Sequence, residues 1–250
     1  AGDIWIEPSY RDGTFQAGKE YLLSARPSSI GIAPLVDGNT SVFTADNASN
    51  HPFLFFITSD GVVHSPELQT LGINPTAVVA ADLNGDQRPD LVLTDASTGQ
   101  VHVKLSNPAG DFADTVSYSA GSQPGALAVV DLNGDGLPDV VAADLGLDVL
   151  LGNGDGTLGA VTTVASGGAL TSIVVADFNL DGKPDVAAAN AQAGGVSFYA
   201  GMGDGSFEAV RQLPLDGALS AVSGDFNGDG MPDLAVTNGK LDFQTPGNLA

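Results

Sequence analysis

The chain has no cysteine among its 250 residues. That removes disulfides, thiol nucleophiles and cysteine-based zinc sites together, so any staple beyond packing has to come from another metal. Basic residues are scarce: eight Lys and Arg stand against 30 Asp and Glu, a formal charge of −22. A surface of that sign repels phosphate backbones and anionic headgroups, which argues against nucleic acid as a partner. No apolar run approaches the roughly 18–20 residues of a bilayer-spanning helix, and no charged-then-apolar leader precedes Ala1. The expectation is a soluble, already processed chain without membrane insertion, and the acidic, cysteine-free composition suits an exported bacterial protein.

Catalytic signatures are missing as well. There is no GxSxG elbow, no HExxH and no Gly-rich phosphate loop, and the three histidines, His51, His64 and His102, are scattered. Only His102 lies in a clear strand pattern, where it reads as a strand-face residue. One tryptophan, Trp5, and four tyrosines, Tyr10, Tyr21, Tyr118 and Tyr199, stand at unlike positions, so no repeated platform for stacking sugars is visible. Helical periodicity free of Gly and Pro is absent over any dozen residues.

What the chain does have is a repeat. "DLNGDQRPD" at 82–90, "DLNGDGLPD" at 131–139, "DFNLDGKPD" at 177–185 and "DFNGDGMPD" at 225–233 share one frame, with spacings of 49, 46 and 48 between their first aspartates (131 − 82, 177 − 131, 225 − 177). A period of this size signals a propeller, solenoid or array. Each acidic stretch sits between two short, small apolar runs, such as "GALAVVD" and "DVVAAD", that read as buried strands. A third run follows ("QVHVKLS", "LDVLLG", "GVSFYAG"). Asp-Gly turns at Asp12, Asp60, Asp155 and Asp204 then lead to a fourth strand, and hairpin geometry accounts for those turns without ligation. Pro89, Pro138, Pro184 and Pro232 fix the chain entering the second strand.

The reading is an all-β chain, 1–250 as a single β-propeller of four-stranded antiparallel blades, with small residues where the blades converge. A β-solenoid needs shorter repeats. The stretch 33–41 occupies a fifth acidic-loop position, but Ala33, Leu35 and Ser41 replace the aligned Asp82, Asn84 and Asp90, which predicts a loop that has lost its metal. The chain starts with the late strands of a repeat ("DIWIEPSYRDGTF") and ends with the early strands of one. Joining them completes a blade and closes a ring of five; if "KLDFQ" at 240–244 instead supplies the third strand of the last blade, the terminal strands pair between molecules or belong to a larger array. "HPFLFFIT" at 51–58 reads as the third strand of the degenerate blade.

Within each acidic loop, oxygen-bearing side chains fall at positions 1, 3, 5 and 9, and the backbone carbonyl of position 7 is free to turn inward. That spacing matches the first half of a loop that wraps a hard cation, and calcium tolerates its variable oxygen geometry better than magnesium does. Good turn-forming residues alone explain one such loop, but not four copies holding the same positions.

With "DFNGDGMPDLAVTN" and "VLLGNGDGTL", the chain resembles the FG-GAP or VCBS repeat, the calcium-binding blade of integrin α-subunit propellers and of many secreted bacterial proteins. The resemblance covers residues 76–235 well and the first 70 poorly. It implies about four calcium ions. The ligands carried over are Asp82, Asn84, Asp86 and Asp90 with the Arg88 carbonyl; Asp131, Asn133, Asp135 and Asp139 with Leu137; Asp177, Asn179, Asp181 and Asp185 with Lys183; and Asp225, Asn227, Asp229 and Asp233 with Met231. Two departures stand out: Gln87 replaces the glycine at position 6, at a cost of about 1 kcal/mol if that turn needs φ > 0, and Leu180 replaces the small residue at position 4. The site at 82–90 is therefore expected to bind most weakly.

The function implied is an extracellular or cell-surface adhesion and protein-interaction module, with the periplasm as an alternative location, in which calcium is structural and no catalysis occurs. The family also holds fungal lectins and polysaccharide lyases. A carbohydrate-binding propeller is thus the second reading and a lyase-type propeller the third. The partner is an unidentified protein or glycan at a surface, and oligomers through the terminal strands are a further expectation. Two sequons, at Asn39 and Asn47, matter only in a eukaryotic source.

Overall fold

The computed structural model describes residues 2–7, 14–15, 17–23, 27–34, 40–45, 53–57, 67–68, 72–108, 111–112, 116–165, 168–190, 192 and 194–239. Among these there is no helix. β1 (Gly2–Ile6) and β2 (Lys19–Leu23) form a two-stranded antiparallel sheet. Four-stranded sheets follow in β3 (Ser29–Pro34), β4 (Thr40–Ala45), β5 (Phe53–Ile57) and β6 (Glu67–Leu68), and in β7 (Ala77–Ala81), β8 (Asp90–Asp95), β9 (Gln100–Lys104) and β10 (Val116–Ser119). The next two are β11 (Ala126–Val130), β12 (Asp139–Ala143), β13 (Gly146–Leu150) and β14 (Thr162–Ala165), then β15 (Leu170–Ala176), β16 (Asp185–Asn190), β17 (Gly195–Tyr199) and β18 (Arg211–Pro214). β19 (Ala218–Gly224) and β20 (Asp233–Asn238) end the chain of sheets as a second pair. Every full sheet runs in sequence order with antiparallel neighbours, the blade of a β-propeller.

The inner strands β3, β7, β11, β15 and β19 pack one against the next. The second strands explain why their sequences read as unbroken apolar runs: β8, β12 and β16 are buried along their whole length. Alternate residues serve alternate interfaces. Leu91 and Leu93 pack toward Phe43 and Ala45 of the preceding sheet, whereas Val92 packs with Val140 and Ala142 of the following one. The same division repeats with Val141 and Ala143 against Val186 and Ala188, and with Ala187 and Ala189 against Ala218 and Val236. A strand with both faces covered loses the apolar-polar alternation of a half-exposed one. Alanine is frequent there because two sheets must approach from both sides.

Hydroxyl groups stitch one blade to the next at the start of the inner strands. Ser28 Oγ donates to the Thr76 carbonyl at 3.0 Å, Thr76 Oγ1 to the Pro124 carbonyl at 2.9 Å and Thr171 Oγ1 to the Leu219 carbonyl at 2.8 Å, each spanning 48 residues. Pro124 has no hydroxyl to continue the series.

The degenerate first loop needs a correction of one residue. Ala33 pairs with Ser41 as Ala81 pairs with Asp90, so Ala33 lies within β3 rather than opening a loop, and the connection is one residue shorter than in the acidic repeats. Ser41, 2% exposed, takes the buried place of Asp90. β5 is the third strand of its sheet, as expected for the aromatic run. Residues 240–244, and the Asp-Gly pairs at 12–13 and 60–61, lie outside the described residues. The half-sheets β1–β2 and β19–β20 are separate, with no register joining them among the described residues.

Replacing Thr76 by valine keeps the side-chain shape and removes the hydroxyl that bonds Pro124 in the next blade and Thr94 in its own. T76V is expected to lower the unfolding free energy by about 1 kcal/mol, the net worth of a partly buried hydrogen bond. Urea denaturation measures this, and an unchanged midpoint would show that the stitch contributes nothing.

Candidate metal centres in the acidic loops

The four acidic loops join the first and second strands of their sheets and share one internal hydrogen-bond scheme. The aspartate at position 1 accepts on Oδ2 from the amide at position 6: Gln87 to Asp82 at 2.7 Å, Gly136 to Asp131 at 2.9 Å, Gly182 to Asp177 at 2.8 Å and Gly230 to Asp225 at 2.9 Å. The asparagine at position 3 accepts through Oδ1 from the amide at position 5 at 2.8–3.0 Å in all four. The aspartate at position 5 accepts from the amide at position 7 at 2.8–2.9 Å. Three side chains thus gather the backbone N–H groups of a turn that a sheet would leave unpaired.

The turn bends through the left-handed region twice, at positions 4 and 6. Glycine stands at six of the eight positions (Gly85, Gly134, Gly136, Gly182, Gly228 and Gly230). Gln87 (φ 64°) and Leu180 (φ 58°) hold the other two and are the two positive-φ non-glycine residues among the described residues. Strain at Gln87 was expected from the missing glycine. Strain at Leu180 was not: glycines two residues apart in the sister loops gave no sign that both positions are left-handed. Such strain, on the order of 1–2 kcal/mol per residue, persists only where the surroundings over-determine the backbone.

The aspartate at position 9 opens the second strand and is fully buried in three repeats, Asp90, Asp139 and Asp185. Its Oδ2 accepts from the amide of position 2, Leu83, Leu132, Phe178 or Phe226, at 2.8–3.0 Å. Its Oδ1 accepts from the chain leaving the third strand: Ser106 at 2.8 Å, Gly152 at 2.7 Å and Gly201 at 2.8 Å. Gly152 and Gly201 cannot carry a side chain there, because a Cβ would stand 2.2 Å from the Pro138 carbonyl oxygen and 2.1 Å from that of Pro184. Burial pushes the Asp90 and Asp139 carboxyls above the ordinary carboxylate value; the two N–H donors pull them back and the remaining loop acids push them up again.

The loop acids expected as ligands thus lie in turns of one form between the first and second strands. As placed, the side chains are satisfied against the backbone and each other: Asn133, Asn179 and Asn227 donate Nδ2 to the acid at position 5, and Asp86 is paired with the Arg88 guanidinium. Among the described residues no three acids or histidines form a group that could hold a metal ion, so the expected ligands are not brought together around one point. In kind the set fits a hard cation well: three carboxylates and an amide oxygen, with no nitrogen or sulfur donor, and each ionised carboxylate retains free lone pairs. In the loop at 82–90 Asp86 is already engaged by the Arg88 guanidinium, a contact for which the other three loops have no arginine at that position.

At the other end of β8, β12 and β16 a polar group crosses neighbouring strands. His102 Nδ1 lies 2.9 Å from Ser117 Oγ, and its Nε2, buried without a hydrogen bond, lies 4.0 Å from Asp95 Oδ2. The next blade has Thr163 Oγ1 donating to Asp148, with Asp144 nearby, and the next has Asn190 Nδ2 donating to Ser197 Oγ, itself bonded to Gln212. Superficially Asp95, His102 and Ser117 suggest a catalytic triad, but the same position holding Asp148 and Ser197 shows a recurrent cross-strand lock. His102 is thus a strand residue, as its surroundings in the sequence indicated. His51 and His64 lie outside the described residues.

The repeats have relatives. A family model described as an FG-GAP-like repeat matches residues 82–142, 131–188 and 177–236, more than half of the chain. The chain belongs to the FG-GAP-like repeat family. Its FG-GAP-like blades are similar to solved structures at low identity, which shows the fold alone. The V. cholerae biofilm matrix protein Bap1 aligns at 18% identity and TM-score 0.52 over 95% of this chain. A Photorhabdus luminescens Tc holotoxin pore aligns at 16% and 0.50 over 96%. A Bacteroides caccae protein of unknown function aligns at 16% and 0.49 over 81% of this chain and 73% of its own. The chain spans 34% and 12% of the first two. No curated protein matches the sequence.

Two outcomes follow from these FG-GAP-like blades. Q87G removes left-handed strain of about 1–2 kcal/mol and adds about 0.5–1 kcal/mol of unfolded-state entropy, so it is expected to stabilise by about 0.5 kcal/mol in chemical denaturation; a destabilised Q87G would show the strain to be absent. The second concerns Asp144. Burial works against its charge, but the amides of Ser122, Gln123 and Leu145 and the Ser122 hydroxyl together hold its carboxyl below the ordinary value of 3.8. A depressed folded-state pKa stabilises above the unfolded value, about 3.9, and that stability is lost as pH falls through the lower folded value. D144N is therefore expected to be less stable than the parent at pH 7, with the deficit shrinking below about pH 4; a deficit independent of pH would refute the assignment.

Proposed function

We propose that this chain is a calcium-stabilised, extracellular interaction module. The observation that carries the calcium reading is the fixed left-handed turn in all four acidic loops, kept at Gln87 and Leu180 where no glycine relieves it. A cation would be held by the carboxylates at positions 1, 5 and 9, the amide oxygen at position 3 and the carbonyl at position 7, once the side chains rotate inward. Its charge would offset three acids crowded into nine residues, in a chain of net charge −22.

Sites of this kind bind with dissociation constants of about 10⁻⁴ to 10⁻³ M in extracellular modules. At about millimolar calcium and the tight end of that range, each adds roughly 1.4 kcal/mol, or about 5–6 kcal/mol for four. That is comparable with the whole stability of many domains, about 5–15 kcal/mol. Calcium is structural on this scale, and a compartment rich in it, outside the cell or in the periplasm, is required to fill the sites.

Binding is the activity that suits the blades. Among the described residues the buried polar groups serve the scaffold, and the aromatic residues do not recur as a platform: Tyr21 and Tyr199 are buried, and the Tyr118 hydroxyl accepts from Leu158 N–H at 2.8 Å. A structural neighbour that is a biofilm matrix protein agrees with a role at surfaces.

Chelation tests the first half: excess EDTA is expected to lower the melting temperature by on the order of 10–20 °C, at about 2–4 °C per kcal/mol, and an unchanged melting curve rejects structural calcium. A glycan array with and without calcium tests the second. No glycan bound, with retention on a protein-coated or cell surface, is the expected result; specific glycan hits make the module a lectin.

A further inference from the structure

Five asparagines of the chain are followed by glycine: Asn84, Asn133, Asn153, Asn227 and Asn238. Such a pair is chemically labile, because a glycine amide reaches the preceding side chain unobstructed by a Cβ. The amide nitrogen bonds to the asparagine Cγ, the bond from Cγ to the side-chain nitrogen breaks, and that nitrogen leaves as ammonia with the amide proton. Water then opens the resulting succinimide at one carbonyl to give aspartate, or at the other to give isoaspartate, whose main chain is one carbon longer. An amide held in a hydrogen bond is not free to attack, so the fold decides where the reaction starts.

Four of the five amides are held. Gly85 donates to Asp82 Oδ1 at 2.8 Å, Gly134 to Asp131 Oδ1 at 2.8 Å and Gly228 to Asp225 Oδ1 at 2.6 Å. Gly239 donates to the Gly217 carbonyl at 2.8 Å. In the acidic loops the asparagine is fixed as well, since Oδ1 of Asn84, Asn133 and Asn227 accepts from the amide two residues on.

At Asn153 both restraints are missing. Among the described residues neither the Gly154 N–H nor Asn153 Oδ1 has a hydrogen-bond partner. The exposed Asn153 side chain is held by its leaving nitrogen alone, Nδ2 donating to Thr157 Oγ1 at 2.9 Å. Equivalent turns in the flanking blades close in the same way, Asn107 N–H on the Asp111 carbonyl at 2.8 Å and Met202 N–H on that of Ser206 at 2.9 Å. They lack the chemistry: Asn107 precedes Pro108, which has no N–H, and Met202 has no amide side chain.

We propose that Asn153 is a site of spontaneous covalent modification, deamidating through a succinimide formed by the Gly154 amide. The turn it alters is seated on two acidic loops. Gly156 N–H donates to the Leu83 carbonyl of the preceding blade at 3.1 Å, and a Cβ on Gly154 would stand 2.9 Å from Leu137 Cδ2. An isoaspartate lengthens the main chain inside that seat. The reaction requires neither calcium nor a binding partner.

Asn84, Asn133, Asn153 and Asn227 all stand in the sequence Asn-Gly-Asp, so they control for one another. The folded chain is aged in warm, mildly alkaline buffer and mapped by peptide mass spectrometry with isoaspartate detection, beside a sample aged in urea. Asn153 is expected to react about tenfold faster than the three loop asparagines in the folded chain, the factor that a hydrogen bond to a charged acceptor supplies, and at a similar rate to them in urea. M202N places an asparagine before Gly203, whose amide is likewise without a partner among the described residues, and is expected to add a second fast site. A loop asparagine reacting as fast as Asn153 in the folded chain overturns the proposal. So does a preference for Asn153 that persists unchanged in urea, or an M202N chain with no fast second site.

Discussion

In three of the blades a buried carboxylate at the mouth of the second strand ties the sheet together. Asp90, Asp139 and Asp185 accept one N–H from the loop just before them and one from the chain leaving the third strand, so a single side chain fixes loop, strand and turn at once. Removing an ionised group from water is unfavourable unless its lone pairs are filled, and here backbone donors fill them. Where the acid is gone, as at Ser41, the loop before it is also a residue shorter. The ninth position therefore has an architectural task beside any ligation, and acid and loop length vary together.

Around that clamp the blade is built from two opposite kinds of burial. The second strand is apolar on both faces up to its far end, where Asp95, Asp144 or Asn190 begins a cross-strand polar lock. The lock keeps its position while its chemistry changes from histidine and serine to paired acids to amides. Such variation is tolerated because each version satisfies most of its donors internally; only His102 Nε2 lacks a partner. Specific polar networks of this sort fix register in a strand whose alanines and valines would pack almost as well one step along.

Much of this was legible in the sequence because the repeat supplies its own alignment. Four copies of one frame revealed the strand order, the loop positions and the residue that breaks the glycine rule at Gln87. Three things were hidden. The left-handed turn at Leu180 was masked because glycine at position 4 in the sister loops reads equally well as a flexible filler. The one-residue shortening at Ala33 was masked because an alignment without acids has nothing to pin it. The polar lock escaped because its members, among them Asp95, His102 and Ser117, are distant in sequence and unlike one another from blade to blade; only the strand pairing brings them together.

The hydroxyl stitches of Ser28, Thr76 and Thr171 each reach one repeat ahead to a main-chain carbonyl, a group every residue possesses. A contact that asks nothing of the identity of its acceptor is indifferent to which copy comes next. Whole units of about 48 residues can therefore be duplicated, lost or exchanged by recombination without spoiling the seam, which makes the length of such an array a quantity that genetics can tune more freely than its core.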